Sequence, residues 1–136
     1  MIGIIYPLPS SFIERVKGKK NFFFIKNAPH ESLPLKLEIG KLVLFYCNKT
    51  IFAEGKIKNM ALQDLNEILK IRKTIQTKEE LKEYCGSGFK KFKKQIVFEL
   101  IDIKVYDPPL ICPFSITMTG QYITPEVYNT IRSLSK

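Results

Sequence analysis

Residues 39–58 read IGKLVLFYCNKTIFAEGKIK, and their pattern constrains the fold more than any other segment. Its first part, Leu42 to Cys47, is apolar at consecutive positions, so a strand here must be covered on both faces. The polar residues 48–50 interrupt this run, and a second strand follows. One predicted face of that strand carries Ile51, Ala53, Gly55 and Ile57, and the other carries Phe52, Glu54, Lys56 and Lys58. The pattern predicts a β-hairpin whose first arm is central in a sheet and whose second arm has one wetter face.

Short strands and helices are predicted on both sides of this hairpin. Gly40 suits a turn with unusual backbone angles, and Gly55 suits a bend or close packing. The expected strands are Gly3–Tyr6, Asn21–Lys26, the two hairpin arms, Gln95–Tyr106, Ser115–Met118 and Gly120–Ile123. Four helices are expected, which begin at a Ser11–Glu14 capping box, after Asp64, at a Thr77–Glu80 capping box and after Thr124. The last of them has Pro125 at its first position, and its inward-facing residues are expected to be Val127, Tyr128, Ile131 and Leu134. This order predicts an α+β fold with a small curved or closed mixed sheet of about five to six strands and peripheral short helices.

The strand after Gln95 contains a change of phase. Ile96, Phe98 and Leu100 occupy even positions, whereas the later apolar residues 103 and 105 occupy odd ones. A period of two that changes phase requires a bulge or a sharp bend, which we expect near Leu100 and Ile101. The sequence Asp107-Pro108-Pro109 then predicts a stiff loop.

Length and composition limit the class of protein. The chain has 136 residues, of which 45% are hydrophobic and 12% aromatic, so we expect one folded domain spanning residues 1–136. The apolar runs are too short for a membrane span, and the start of the sequence does not resemble a signal peptide. Cys47, Cys85 and Cys112 are far apart, and His30 is the single histidine. We therefore expect a cytoplasmic protein with no metal, no cofactor, no disulfide and no membrane partner.

Several motifs resemble a known superfamily. They are a strand ending in Tyr6-Pro7-x-Pro9, the segment from Gly40 to Tyr46, the segment from Glu54 to Ile57, and the segment from Thr119 to Ile123. Together they resemble a family of uncharacterised archaeal proteins in the PUA-like superfamily, which includes PUA, ASCH, EVE and YTH-type domains. The resemblance covers nearly the whole chain and implies a PUA-like mixed pseudo-barrel with flanking helices. It also implies binding of RNA or of a modified nucleotide.

The sequence departs from two patterns of that superfamily. Residues 36–41 do not reproduce the Gly-x-Lys-x-x-Glu-x-Arg signature that lines a cleft in ASCH domains, and the chain has no tryptophan for a methylated-base cage. The resemblance therefore does not by itself carry over a nuclease activity or a methylated-base cage.

Positive charge is concentrated in one segment. The net charge is +9, and residues 70–94 carry nine basic and three acidic side chains, which gives +6 in that segment. Lysines interleaved with aromatic residues suit phosphate contacts and base stacking, whereas the alternative is a lysine-rich solvated surface. The candidate nucleic-acid-binding residues are Arg72, Lys73, Lys90, Lys91, Phe92, Lys93 and Lys94.

Four other residues are candidates for a ligand cleft. Glu54 could be a polar group inside a cleft beside Tyr46 and Lys56, or a solvent-facing residue on an edge strand. Tyr122, after Gly120, could present its ring to a ligand or pack against the barrel. No catalytic triad can be assembled, because His30 would have to serve every scheme.

Three functions remain open on these observations. The first is non-catalytic binding of RNA through a basic face and a small aromatic-lined cleft. The second is a small RNA- or nucleotide-processing enzyme with a cleft around Glu54. The third is a protein–protein interaction module whose basic face contacts an acidic partner. The concentration of charge favours the first and third over the second.

Overall fold

The computed structural model describes residues 1–27, 37–64, 94–117 and 120–134. These segments form six strands and two helices. The strands are β1 (Gly3–Pro7), β2 (Phe22–Asn27), β3 (Leu42–Cys47), β4 (Thr50–Asp64), β5 (Lys94–Ile111) and β6 (Gln121–Ile123), and the helices are α1 (Ser11–Val16) and α2 (Pro125–Ser133). The helices predicted behind Asp64 and Thr77 lie outside the described residues.

The six strands form one mixed sheet in the order β2-β5-β4-β3-β1-β6. β1 runs parallel to β3, with Ile5 opposite Leu44, and β1 runs antiparallel to β6. β3 and β4 form the predicted antiparallel hairpin. The α+β class and the mixed sheet are therefore confirmed, and the sheet is open in the described part of the chain. No helix in the described segments is long and apolar enough to cross a membrane.

The chain divides into two compact units, of which the first comprises Met1–Phe22, Lys36–Lys58 and Leu100–Lys136. β3 is covered on both faces in this unit, as its sequence predicts, because Val43, Leu44 and Phe45 are fully buried. Leu44 belongs to a core, here called the α2-side core, formed by Ile5, Leu44, Ile51, Tyr106, Leu110, Cys112, Ile123 and Ile131. Adjacent residues of a strand point to opposite faces, so Phe45 lies on the other face.

Aromatic rings cover that second face of the first unit. The Phe45 ring packs at 6.1 Å from that of Phe22 and at 5.7 Å from that of Phe52. Phe22 in turn makes an edge contact with Phe12 of α1 at 5.7 Å. α1 and α2 therefore pack on opposite faces of the sheet.

The second unit comprises Phe23–Leu35 and Asn59–Glu99. Its described residues belong to β2, β4 and β5. Phe24 and Phe98 are fully buried and stack with their ring centroids 4.9 Å apart and their planes 13° apart. Ile25, Ile96 and Val97 are buried as well.

A two-residue turn joins β3 to β4. Cys47 pairs with Thr50, and the two residues between them have positive φ angles, 49° at Asn48 and 63° at Lys49. Two successive positive φ angles are those of a type I′ turn, whose twist matches that of the flanking strands. The predicted interruption of the apolar run at residues 48–50 is thus a hairpin turn, with Thr50 already in β4.

A β-bulge changes the faces predicted for β4. Phe45 pairs with Ala53, but Tyr46 pairs with Ile51, so Phe52 is an extra residue between two pairs. Because of this extra residue, Ile51 and Glu54 lie on the same face. The strict alternation expected from the sequence is wrong here, since a bulge changes which side chains face the core.

Both predictions about glycines in residues 39–58 are confirmed. Gly40 has a φ of 91°, in the region that other residues rarely adopt. At Gly55 a Cβ atom would lie 2.7 Å from Cδ1 of Ile103 and 3.2 Å from Cβ of Leu100. Gly55 therefore permits the close packing of β4 against β5.

β5 shows the predicted change of phase. Residues 96, 98 and 100 are buried, and beyond them residues 101, 103 and 105 are less exposed than their neighbours 102 and 104. The irregular residue is Asp102, which has a φ of 55° within the strand. The bend expected near Leu100 and Ile101 is therefore placed one residue beyond Ile101.

Other local expectations are wrong. Ser10 caps α1 from a helical conformation with no side-chain hydrogen bond, so the Ser11 capping box does not form. Residues 107–109 extend β5 instead of forming a loop, with a cis peptide bond before Pro108. β4 continues beyond the predicted hairpin arm through residues 61–64, and residues 115–117, predicted as part of a strand, are not one. Because its residues are apolar on both faces, β3 is also expected to be the most buried strand of the chain, and this expectation is wrong, since four of the five β1 residues are buried but only three of the six β3 residues.

The cap of α2 is confirmed. The hydroxyl Oγ1 of Thr124 accepts a hydrogen bond from the backbone N–H of Val127 at 3.3 Å, and Pro125 begins the helix. Ile131 is buried, and Val127 and Tyr128 pack against the α2-side core. Leu134 is 48% exposed and does not face inward as expected, because it lies beyond the last helical residue.

Candidate functional site

The site begins at Glu54, which the bulge turns toward α2. Glu54 pairs with Leu44 on β3 and therefore shares the face of the α2-side core. Its side chain is only 8% exposed. A buried carboxylate requires hydrogen-bond donors, and Oε1 of Glu54 accepts one from the hydroxyl of Tyr128 at 2.6 Å.

Tyr128 links this carboxylate to Arg132. These two residues are four apart in α2 and so lie on one face of the helix. The guanidinium Nη1 of Arg132 donates a hydrogen bond to the hydroxyl oxygen of Tyr128 at 3.2 Å. Burial raises the pKa of Tyr128, and its hydrogen bond to Glu54 acts in the same direction. The hydrogen bond to Tyr128 raises the pKa of Arg132, which is charged at any physiological pH.

Two cations flank the ring of Tyr106. The guanidinium carbon of Arg132 lies 5.7 Å from the ring centroid of Tyr106 and 5.7 Å from that of Tyr128. The ammonium of Lys104 lies 5.5 Å from the Tyr106 centroid. Both distances to Tyr106 fall within the range of cation–π contacts, which hold the cations beside the ring.

These side chains line a groove of about 560 Å³ in the first unit. Its wall is formed by Lys104, Tyr106, Leu110, Tyr128, Asn129, Arg132 and Ser133. Among the described residues, the wall contains two basic residues, two tyrosines and no acidic residue. A groove of this size, basic and partly aromatic, suits an anionic ligand with the volume of a nucleotide.

Residues 1–125 match a family described as a domain of unknown function (DUF365). The chain belongs to the DUF365 family. No curated protein matches the sequence significantly.

Solved structures of ASCH proteins share the fold of this DUF365 chain. A tyrosine-to-phenylalanine variant of an ASCH protein from Zymomonas mobilis aligns with a TM-score of 0.70 at 15% identity, over 98% of this chain and 99% of that chain. A serine-to-alanine variant aligns with a TM-score of 0.73 at 16% identity, over 98% and 96%. The ASCH protein without a stated substitution aligns with a TM-score of 0.67 at 16% identity, over 98% and 95%. These likenesses show that the chain has the fold of those ASCH proteins, as the sequence resemblance implied.

The structure of the DUF365 chain brings three of the four predicted cleft residues to one face. Tyr46 packs against the α2-side core, and Glu54 and Lys56 pair with residues of β3 on that same face. Lys56 is exposed, with its ammonium 4.0 Å from the carboxylate of Asp102. Of the two interpretations of Glu54, the solvent-facing edge residue is wrong, because β4 lies between β5 and β3 and the side chain is buried.

Tyr122 does not share that face. It pairs with Ile4 of β1, whereas the adjacent residue Ile123 belongs to the α2-side core. Tyr122 therefore lies on the opposite face, where it is 38% exposed. Burial raises the pKa of Tyr6 on that face, and the proximity of Tyr122 raises it further. A ligand contact by any of the four residues stays a prediction.

The predicted nucleic-acid-binding residues cannot be placed at this groove. Arg72, Lys73, Lys90, Lys91, Phe92 and Lys93 lie outside the described residues, and of Lys94 only its position at the start of β5 is described. Their contact with RNA stays a prediction that rests on charge.

Sequence reasoning missed the residues that line the groove. Lys104 and Tyr106 share a face of β5 at i, i+2, and Tyr128 and Arg132 share a face of α2 at i, i+4. Each spacing is visible in the sequence, but a single lysine or arginine on a predicted strand or helix does not by itself indicate a binding site. Only the packing of α2 beside β5 in the first unit brings the two pairs together.

Proposed function

We propose that this DUF365 protein binds RNA without catalysing a reaction on it. The observation that carries the proposal is the groove in the first unit, where Lys104 and Arg132 flank tyrosine rings and none of the described lining residues is acidic. Phosphate-binding basic groups beside aromatic rings are the elements that single-stranded nucleic-acid sites combine. The ASCH-type fold and the concentration of charge in residues 70–94 support the same proposal.

In this proposal the two sets of basic residues have separate tasks. The lysines of residues 90–94 supply affinity through backbone phosphates, without reading sequence. The groove supplies a local contact to one nucleotide. Glu54 serves as a buried anchor for Tyr128, because its carboxylate is held by the Tyr128 hydroxyl.

The experiment is a salt titration of RNA binding. If Lys90, Lys91, Lys93 and Lys94 each contact one phosphate, the log–log slope of affinity against salt concentration is roughly −3, at about −0.7 per phosphate on a single strand. Replacing Lys91 and Lys94 with alanine should flatten the slope by about 1.4 and should weaken binding to all RNA sequences alike.

A matched control removes the same charge elsewhere. Lys19 and Lys20 are exposed residues after α1, and their double alanine variant should keep the full slope. If the wild-type protein binds no RNA at low salt, the proposal is wrong. If the Lys91→Ala, Lys94→Ala protein keeps the full slope, the basic segment is a solvated surface and does not contact the RNA.

A further inference from the structure

We infer that the groove at Lys104 and Arg132 recognises a phosphate monoester, such as the terminal phosphate of an RNA strand or of a free nucleotide, and not an internal phosphodiester. The inference deepens the proposed function and rests on it for the identity of the ligand as a nucleotide. It goes beyond that function because such a groove would bind the phosphorylated end of a strand in preference to its internal phosphates.

Two cations of the groove have no acidic partner among the described residues. Within the described residues neither Lys104 nor Arg132 forms an ion pair with a carboxylate, whereas Lys17 and Lys56 each have one within 4.0 Å. Glu54 interacts electrostatically with Arg132, but Tyr128 stands between their charged groups in the hydrogen-bonded chain. The two positive charges at the Tyr106 ring are therefore available to an anion.

The hydroxyl of Tyr106 has an unused donor. Tyr106 is 8% exposed, and its hydroxyl is buried with no hydrogen-bond partner among the described residues. Buried polar groups nearly always have a partner, and a ligand in the groove that Tyr106 lines would supply an acceptor once the ring shifts to expose the hydroxyl. The oxygens of phosphate are such acceptors.

The charge of the groove matches a dianion. A phosphate monoester carries about −1.5 to −2 at pH 7, whereas an internal phosphodiester carries a single charge. The two cations, which have no carboxylate partner among the described residues, match the first charge and exceed the second. None of the described residues of the wall is acidic, so none of them repels a dianion.

Hydrogen bonds within the protein orient Arg132 before a ligand binds. The guanidinium of Arg132 is fixed by its hydrogen bond to Tyr128, which the buried Glu54 holds in turn. A side chain whose orientation is already set loses less entropy on binding. Glu54 and Tyr128 are thus positioning residues for Arg132.

The experiment measures affinity for small probes by calorimetry on the full chain. AMP should bind, adenosine should not, and cyclic AMP, which keeps the base and sugar but carries a diester, should bind more weakly than AMP. Arg132→Gln and Lys104→Gln should each reduce the affinity for AMP by about tenfold, as expected for the loss of a charged hydrogen bond. Lys19→Gln, which removes one charge from an exposed turn, should leave the affinity unchanged.

A pH series separates dianion recognition from general charge attraction. The second pKa of a phosphate monoester is about 6, so AMP should bind more weakly as the pH falls from about 7.5 to about 5.5. Cyclic AMP has no such ionisation and should show no comparable loss. Equal pH dependence of the two probes, or full AMP affinity in both the Arg132→Gln and Lys104→Gln proteins, would overturn the inference.

Binding of RNA strands shows whether the monoester belongs to a strand end or to a free nucleotide. It also tests the monoester site separately from the proposed binding of RNA. A short single strand with a terminal phosphate should bind more tightly than the same strand ending in hydroxyls, and Arg132→Gln should abolish that difference. If both strands bind equally, the inference is wrong while RNA binding stands. If AMP binds as described but neither strand binds, the monoester site stands and the proposed RNA function is wrong.

Discussion

The residue on which the candidate site depends is Glu54. Its sequence neighbours allowed a cleft residue or a solvent-facing edge residue, and the structure places it on an interior strand with 8% exposure. The bulge at Phe52 turns the carboxylate toward α2, where it accepts a hydrogen bond from Tyr128. A buried carboxylate with one hydroxyl donor is costly to disturb, because removing the donor leaves its desolvation uncompensated.

Tyr128→Phe is therefore expected to destabilise the protein by about 1–3 kcal/mol, since it removes the donor to Glu54 while keeping the ring. Urea denaturation measures the change in free energy of unfolding. Tyr122→Phe, which removes the hydroxyl of an exposed tyrosine on the other face, is the control and should stay close to the wild type. Wild-type stability of the Tyr128→Phe protein would show that the Glu54 carboxylate does not depend on this hydrogen bond.

Among the elements, the β3–β4 hairpin is the one most completely specified by local sequence. Its turn residues Asn48 and Lys49 both have positive φ, and the carbonyl oxygen of Lys49 accepts a hydrogen bond from the backbone N–H of Cys112 at 2.9 Å. Asparagine tolerates this conformation, whereas a lysine has a Cβ atom that disfavours it. Lys49 is thus less favourable at this position of the turn than a glycine would be.

Lys49→Gly should stabilise the protein, by up to about 1 kcal/mol, because glycine adopts a positive φ without the steric cost of a Cβ atom. Thermal or urea unfolding would detect the gain. Lys49→Ala removes the same charge but keeps the Cβ atom, so it should give no comparable gain. An equal effect of the two substitutions would mean that the charge, and not the backbone angle, determines the result.

At the scale of the whole molecule, buried tyrosines make stability depend on alkaline pH. Burial raises the pKa of Tyr6, and burial together with the bond to Glu54 raises the pKa of Tyr128. A tyrosine with a raised pKa keeps its proton in the folded state after the unfolded state has lost it. The contribution to stability is therefore complete below the unfolded pKa of about 10 and is lost as the pH rises above it.

The wild-type free energy of unfolding should fall more steeply between about pH 9 and about pH 11 than that of a protein carrying Tyr6→Phe and Tyr128→Phe, since phenylalanine has no proton to release. Urea titrations of the two proteins at several pH values give the two slopes. Deprotonation of the many lysines affects both proteins alike, so the difference between the slopes isolates the tyrosines. Parallel slopes would contradict the assignment of Tyr6 and Tyr128 as protonated in the folded state.

The sequence by itself determined the features that depend on neighbouring residues. The uninterrupted apolar run of β3 required cover on both faces, the change of phase in β5 required an irregular residue, and Thr124 with Pro125 fixed the start of α2. Each of these follows from a repeat or a cap that spans only a few positions. Local patterns failed where a strand continued through polar or proline-containing sequence, as at residues 107–109 of β5.

The site, in contrast, depends on contacts between distant segments of the chain. Glu54 and Tyr128 are 74 positions apart, and nothing in the local sequence of either predicts their hydrogen bond. The bulge at Phe52 sets which way Glu54 points, and the packing of α2 beside β5 brings Arg132 to the ring of Tyr106. Periodicity shows which face of an element is apolar, whereas the partner of a polar group depends on register and packing between distant segments, which are set only when the chain folds.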